Sequence, residues 1–201
     1  LQAAYILELA TEPEATDELG RMRAQITQSA RSLQSLSANF WLPQPSKIPY
    51  QASIFMEDFR DRLARVTPEK ISRVEWTSKL NGQNISVDLE MVFTALAELF
   101  KNAFHFGDPE GPIRAVAKAE GKRFSLEVTE SLKELPTLAG KPVITPEHWG
   151  EEPFVSTRRG GYGLGLFRTR MVLAVHDGDL RFTHDSGRAL LAARVTLPFV
   201  A

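Results

Sequence analysis

Apolar and polar positions divide the chain into a helical segment and a mixed segment. Residues 1–12 (LQAAYILELATE) favour helix and carry a broad apolar face, and Pro13 with the polar residues to Thr16 breaks the pattern. From about Asp17 to Phe40 the helical spacing returns, with acidic residues in the first turn, where the helix dipole favours them. Leu19, Ile26, Leu33 and Phe40 recur every seven positions, with Met22, Ser29 and Leu36 between them. This is a heptad seam with one polar interruption. Two antiparallel helices bury little by themselves. The hairpin at 1–42 is therefore expected to form a dimeric four-helix bundle with a second copy, the other reading being a helix packed on its own domain.

Leu42-Pro-Gln-Pro-Ser-Lys-Ile-Pro49 holds three prolines and reads as a linker. Beyond it, over 50–201, the periodicity alternates between helix and strand. Tyr50 to Val66 is predicted as an amphipathic helix with Phe55, Phe59 and Leu63 on one side. Lys70 to Leu80 reads as a strand with Val74 and Trp76 on one face, and Asn81-Gly82 is a turn between strands too ragged for a firm hairpin. Asp88 is placed to N-cap a long helix over about 89–105. Strands are expected near 113–118 and 123–130, joined at Glu120-Gly121, with Phe124, Leu126 and Val128 alternating onto one face. Residues 131–160 lack periodicity and read as a lid. A helix from Leu166 to His176 and strands around 180–184 and 189–197 close the chain. The fold class is α+β: the helical hairpin, then a two-layer α/β sandwich with helices on one face of a mixed sheet.

The 201 residues carry a net charge of -1, which points to no general nucleic-acid or anionic-membrane binder. There is no cysteine, so disulfides, thiolate metal sites and cysteine nucleophiles are excluded. No apolar run reaches the length that spans a bilayer, and no signal peptide is visible. A cytoplasmic location is expected, without membrane contact in this segment. The chain opens at Leu1 already in helical pattern, as a fragment of a larger sensor protein would.

Two constellations carry chemistry. In Arg159-Gly-Gly161-Tyr-Gly163-Leu164-Gly165-Leu166, three glycines alternate with large residues just before a helix. Alternating glycines let backbone N–H groups approach a ligand, and the helix start adds unpaired N–H groups and a positive dipole end, a combination suited to phosphate. The plainer reading is a surface loop before a core helix. In Glu98-Leu-Phe-Lys-Asn102-Ala-Phe-His105, the Glu98 and Asn102 side chains share one helix face. An amide oxygen suits Mg²⁺, and a neighbouring carboxylate can act as base or orient water. The plainer reading here is a solvated Glu beside a core-edge Asn.

In this order, ELFKNAFH, a strand pair, a lid and then EEPFVSTRRGGYGLGLFRTRMVLAVHDGDL resemble the ATP-binding fold shared by sensor histidine kinases, gyrase B-type ATPases, Hsp90 and MutL. The histidine kinases are the nearest match, over roughly residues 50–198. The resemblance implies ATP and Mg²⁺ as cofactors and assigns roles. Asn102 coordinates Mg²⁺, and Glu98 serves as base or bonds the Mg²⁺ shell. His105, Thr157, Arg158 and Arg159 meet phosphate charge. The backbone at Gly161, Gly163, Leu164, Gly165 and Leu166 cradles the phosphates. Glu130 stands where the family has the Asp that reads the adenine amino group.

Two departures qualify this. Thr129-Glu130-Ser131-Leu132-Lys133 lacks the glycines of the family's first glycine box. The four histidines are His105, His148, His176 and His184, none of them at the family's phosphoacceptor position, so that histidine lies upstream of Leu1 or is absent. His176 is expected to cap its helix as a cation, and His148 and His184 to be surface residues. The implied function is the core of a homodimeric two-component histidine kinase with a response-regulator receiver domain as partner. The alternative is a non-catalytic phosphotransfer or adaptor protein built on the same fold, and a weaker one an ATP-driven clamp or anti-sigma-type kinase.

Overall fold

The computed structural model describes residues 43–132, 135, 137–138, 141–142, 145–153 and 163–200. The predicted hairpin at 1–42 lies outside the described residues. The order of elements is β1 (Ile48–Gln51), α1 (Ala52–Val66), β2 (Val74–Lys79), β3 (Asn84–Val87), α2 (Leu89–Phe106), β4 (Ile113–Glu120) and β5 (Arg123–Ser131), then the two-residue strands β6 (Thr137–Leu138) and β7 (Lys141–Pro142), α3 (Gly165–Val175), β8 (Asp179–Asp185) and β9 (Leu190–Val200).

The main sheet runs β1-β3-β9-β5-β4-β2, with β8 also on β9. Strand β9 carries β5 along one edge; its other edge takes β8 over Leu190–Thr196 and β3 at Phe199 and Val200. The sheet is mixed, because β2 pairs parallel with β4 while its other pairings are antiparallel.

Alternation decides which face is covered. Phe124, Leu126 and Val128 of β5 and Leu191, Ala193, Val195 and Leu197 of β9 are buried together with the apolar residues of the helices. Phe55 of α1 joins the layers, its ring 6.1 Å from Phe124 of the sheet and 5.1 Å from Phe93 of α2. The other sheet face carries ion pairs such as Arg194 with Glu127 and Lys118 with Glu120, the pattern of a sheet wet on one side. This is the two-layer sandwich expected.

Three local differences have physical causes. Tyr50 and Gln51 end a strand rather than begin α1, because β1 runs along β3 and Pro49 sits on the sheet's edge, where its missing N–H is tolerated. Residues 71–73 form a 3₁₀ turn, so β2 starts only at Val74. Strands β2 and β3 do not pair across Asn81-Gly82; one joins β4, the other β1 and β9.

Candidate functional site

Helix α2 lays out one side of the site. Asp88 caps it as predicted, its Oδ1 accepting from Met91 N at 3.1 Å. Its apolar face, including Val92, Leu96, Leu99, Phe100 and Ala103, is buried in the core. Glu98 and Asn102 fall outside that stripe and are half-buried. Lys101 Nζ donates to Glu98 Oε1 at 2.6 Å. His105 is exposed one turn further on, with its ring edge-on to Phe106.

Helix α3 supplies the other side. Gly163 adopts φ 65°, a left-handed conformation that a glycine reaches without steric cost. Leu164 follows with its side chain buried, and the helix starts at Gly165 without a side-chain cap on its first N–H groups. The decisive contact joins the two helices. A Cβ on Gly165 would lie 2.9 Å from Glu98 Oε2, so the carboxylate rests against the bare Cα that opens α3. Thr169 holds this register: fully buried, its hydroxyl donates to Gly165 O at 2.9 Å and lies 3.2 Å from Ala95 O of α2. A groove of about 170 Å³ runs between the helices, with Glu98 and Gly165 among its walls and Ala95, Thr169 and Val172 on its lining.

The far end of α2 meets Glu130 of β5. This side chain points to the helix side of the sheet, with Phe124, Leu126 and Val128, and is 6% exposed. A Cβ on Gly107, at the C-cap of α2, would lie 2.2 Å from Glu130 Oε2, so only glycine leaves room for the carboxyl. Glu130 Oε2 is enclosed and has no hydrogen-bond partner. Arg73 is the cation that acts on it, yet the Arg73 guanidinium donates to the carbonyl of Gly111 at 3.0 Å and to that of Asp108. Burial pushes the Glu130 carboxyl up to about 8, with Arg73 opposing.

The structure thus brings Glu98 and Gly165 together, sets Asn102 one turn along the same helix, and puts Glu130 at the helix end. Thr157, Arg158, Arg159 and Gly161 lie outside the described residues. Two residues were not singled out from the sequence. Thr169 is one; its signal was a hydroxyl spaced three and four residues from Leu166, Val172 and Leu173, on the helix's apolar face. Arg170 is the other: its guanidinium donates to the carbonyls of Trp149 and Leu180, both at 2.7 Å, and of Glu147 at 3.1 Å, tying the segment before the predicted lid end to α3 and β8.

His176 corrects an expectation. It does end α3, but it is buried, and burial lowers its pKa below the usual range, so it is a neutral ring rather than a cation at the helix end. Its Nδ1 donates to Val172 O at 2.7 Å and its Nε2 accepts from Asp88 N at 3.0 Å, locking the end of α3 to the start of α2. His148 is exposed beside Glu151, whereas His184 is half-buried and 3.1 Å from Leu132 O.

A mixed sheet covered on one face by three helices, with a glycine turn opening the helix that packs on α2, defines the histidine-kinase type of ATPase fold. Comparison with known proteins agrees. The chain is 24% identical over 203 residues to the sensor histidine kinase ZraS of Salmonella typhi, covering 99% of this chain and 42% of that protein. The chain thus spans less than half the length of this curated relative. Among solved structures, the mycobacterial sensor histidine kinase MprB superposes with a TM-score of 0.59 at 22% identity, over 76% of this chain and 97% of that one. Full-length ShkA in complex with AMPPNP gives 0.63 at 18% identity, over 100% of this chain and 42% of that one. No family model matches the chain.

Proposed function

We propose that this chain is the catalytic core of a two-component sensor histidine kinase. It binds Mg-ATP and passes the γ-phosphoryl group to a histidine upstream of Leu1, from which a response-regulator receiver domain takes it. The bond from the γ-phosphorus to the β–γ bridging oxygen breaks, ADP leaves, and a bond from that phosphorus to an imidazole nitrogen forms. The observation that carries this reading is the meeting of Glu98 with Gly165, which sets a carboxylate and an amide-bearing helix beside an uncapped, glycine-opened helix start.

Phosphoryl transfer asks mainly for positioning and charge neutralisation. The residues present fit Mg²⁺, whose preference is for few protein oxygens plus phosphate and water. Asn102 would hold the metal, which would supply charge neutralisation to the phosphates. Glu98 orients the acceptor or the metal's water shell. Backbone N–H groups of Gly161 and Gly163–Leu166 receive the phosphates, with His105, Thr157, Arg158 and Arg159 adding polar and cationic contacts. Glu130 meets the adenine edge. Residues 1–42 supply the homodimer interface, and the segment works on the cytoplasmic side of a sensor. Among the described residues no helix is long and apolar enough to cross a membrane.

Titration calorimetry of the 201-residue chain with Mg-ATP tests this. Binding in the micromolar to millimolar range is expected, and Asn102→Ala should weaken it at least tenfold and remove its Mg²⁺ dependence, a loss of about 1.4 kcal/mol or more. Absence of binding at millimolar nucleotide would sink the kinase reading. It would leave the second one, a phosphotransfer or adaptor protein with the ATPase fold as scaffold. That reading is favoured by Leu132, buried where the family's glycine box lets the nucleotide pass close to the backbone.

A further inference from the structure

We propose that Arg170 is a positioning residue for the phosphate end of the site: it fixes the turn at 145–151, the turn braces Leu166, and the brace aims the uncapped first turn of α3 at the phosphates. This rests on the nucleotide-site reading above and specifies what holds its glycine-opened helix start in place.

Helix α3 begins without a side-chain cap, so its first N–H groups are open to a ligand and their direction depends on what packs around the helix. Two neighbours pack there. Gly165 and Thr169, four residues apart, form the stripe that meets Glu98 and Ala95 of α2. Leu166 and Arg170, also four residues apart, form the adjoining stripe and meet the turn at 145–151, which is built around the 3₁₀ turn Pro146–His148. The contact at Leu166 is backbone on backbone. Gly150 has φ 78°, and a Cβ on it would lie 2.8 Å from both the carbonyl carbon and the oxygen of Leu166.

The turn depends on Arg170 for its hydrogen bonds. The carbonyls of Thr145, Pro146 and His148 accept from His148 N, Trp149 N and Glu151 N, inside the turn itself. The carbonyls of Glu147 and Trp149 accept instead from Arg170, from Nη2 at 3.1 Å and Nε at 2.7 Å. Arg170 Nη1 donates to Leu180 O of β8 at 2.7 Å, and the Trp149 ring packs on Phe182 of the same strand with centroids 5.5 Å apart. Each guanidinium nitrogen thus serves a carbonyl, and Arg170 acts through the turn rather than on a ligand. A planar fork holds carbonyls of two segments in one fixed geometry, which the point charge of a lysine on its flexible stem does not.

Without the fork, the carbonyls of Glu147 and Trp149 recover a partner only by turning towards water, which draws the turn away from Leu166. Backbone donors stabilise a phosphate only while they are aimed at it, and a misplacement of about 1 Å can cost up to about a hundredfold.

The test measures the affinity of the 201-residue chain for Mg-ATP by calorimetry and for adenosine by ligand-detected NMR. Beside it stand Arg170→Gln, Arg170→Lys, Gly150→Ala and the double variant Arg170→Gln with Gly150→Ala. Arg170→Gln should weaken Mg-ATP about tenfold or more and leave adenosine, which has no phosphate for α3 to receive, nearly unchanged. Arg170→Lys keeps the charge without the fork and should stay close to Arg170→Gln. Gly150→Ala pushes the turn off Leu166 with Arg170 intact and should show the same selective loss. The double variant should lose little more than either single one, because both break one brace. Unchanged Mg-ATP affinity in Arg170→Gln, equal losses for both ligands, full recovery in Arg170→Lys or fully additive losses would each overturn the inference while leaving nucleotide binding intact. No binding of Mg-ATP by the unaltered chain would overturn the site reading itself and the inference with it. A thermal melt of each variant sets a temperature at which every chain compared is folded, so that lost fold is not read as lost affinity.

Discussion

His176 shows how one side chain can hold two helices in register. Its ring bridges Val172 O and Asp88 N, both at hydrogen-bond distance in a buried setting. Replacing it with alanine leaves the Asp88 N–H without its acceptor and opens space under the helix ends. We expect His176→Ala to cost about 1–3 kcal/mol in chemical denaturation at neutral pH. Its pH dependence follows from the lowered pKa. The unfolded chain binds the proton more readily than the folded one. The stabilisation is therefore complete above the unfolded pKa of about 6.5 and is lost as pH falls through the lower folded value. Asp88 has a lowered pKa too, but its window opens only below the ordinary carboxylate range. Glu130, with its raised pKa, gains stability over the same acidification, so the reading is taken from the difference between wild type and His176→Ala: a difference that does not shrink from about pH 6.5 to about pH 5 contradicts this assignment. The sequence suggested the opposite charge state, because a histidine before Asp-Gly looks like a surface cap. Only the folded chain shows that Asp88, 88 positions away, arrives to use the second nitrogen.

Elements were legible where a single periodicity dominated. Helix α2 and strand β5 appear within one residue of their expected ends, since the cap at Asp88 and the alternation of Phe124, Leu126 and Val128 are local signals. The start of α1 was not, because Tyr50 and Gln51 are drawn into β1 by pairing with Ile85 and Asn84, a long-range partner that no local pattern announces. The site followed the same rule. Glu98, Asn102 and the glycine turn stood out by spacing, whereas Thr169 and Arg170 act through carbonyls supplied by distant segments. The α3–β8 junction makes a quantitative case. A Cβ at Gly178 would sit 2.6 Å from Thr196 O and 3.0 Å from Leu173 O, while one at Gly82 meets nothing within 4 Å. Gly178→Ala should destabilise by about 1–3 kcal/mol and Gly82→Ala by well under that, as read from paired denaturation midpoints. Equal effects would mean that the turn before β8 yields more easily than its backbone contacts imply.

At the scale of the whole domain, among the described residues, one sheet face is packed under the helices and the other carries charged side chains. Pairs such as Arg194 with Glu127 and Arg114 with Glu75 lie on the open face of the sheet and contribute little each to stability. The buried apolar core, with an aromatic seam of Phe55, Phe59, Phe93, Phe100 and Trp76 between helix and sheet, supplies the larger burial. Helix α2, which carries Glu98 and Asn102, adds Phe93 and Phe100 to that seam, and α3 packs Val172 and Leu173 into the same core, so the site is held by the core as well as by its own polar contacts.

Strand β9 sits inside the sheet although it is made late, and this constrains how the chain can be synthesised. Three strands, β5, β8 and β3, take their hydrogen bonds from it. A nascent chain still lacking residues 190–200 has β5 open along one edge and β8 without its pairing to β9. Loop closure across the domain must then wait until those residues leave the ribosome, as expected for a sheet dominated by non-local pairing. Ribosome-bound chains halted with residue 189 outside the exit tunnel should be cut rapidly by protease across 48–189, and chains extended past residue 200 should resist. Resistance in the shorter chains would show that a stable sheet forms without its inner strand. The apolar faces of α1 and α2 are meanwhile synthesised before their sheet is complete, so the growing domain exposes apolar surface until β9 emerges.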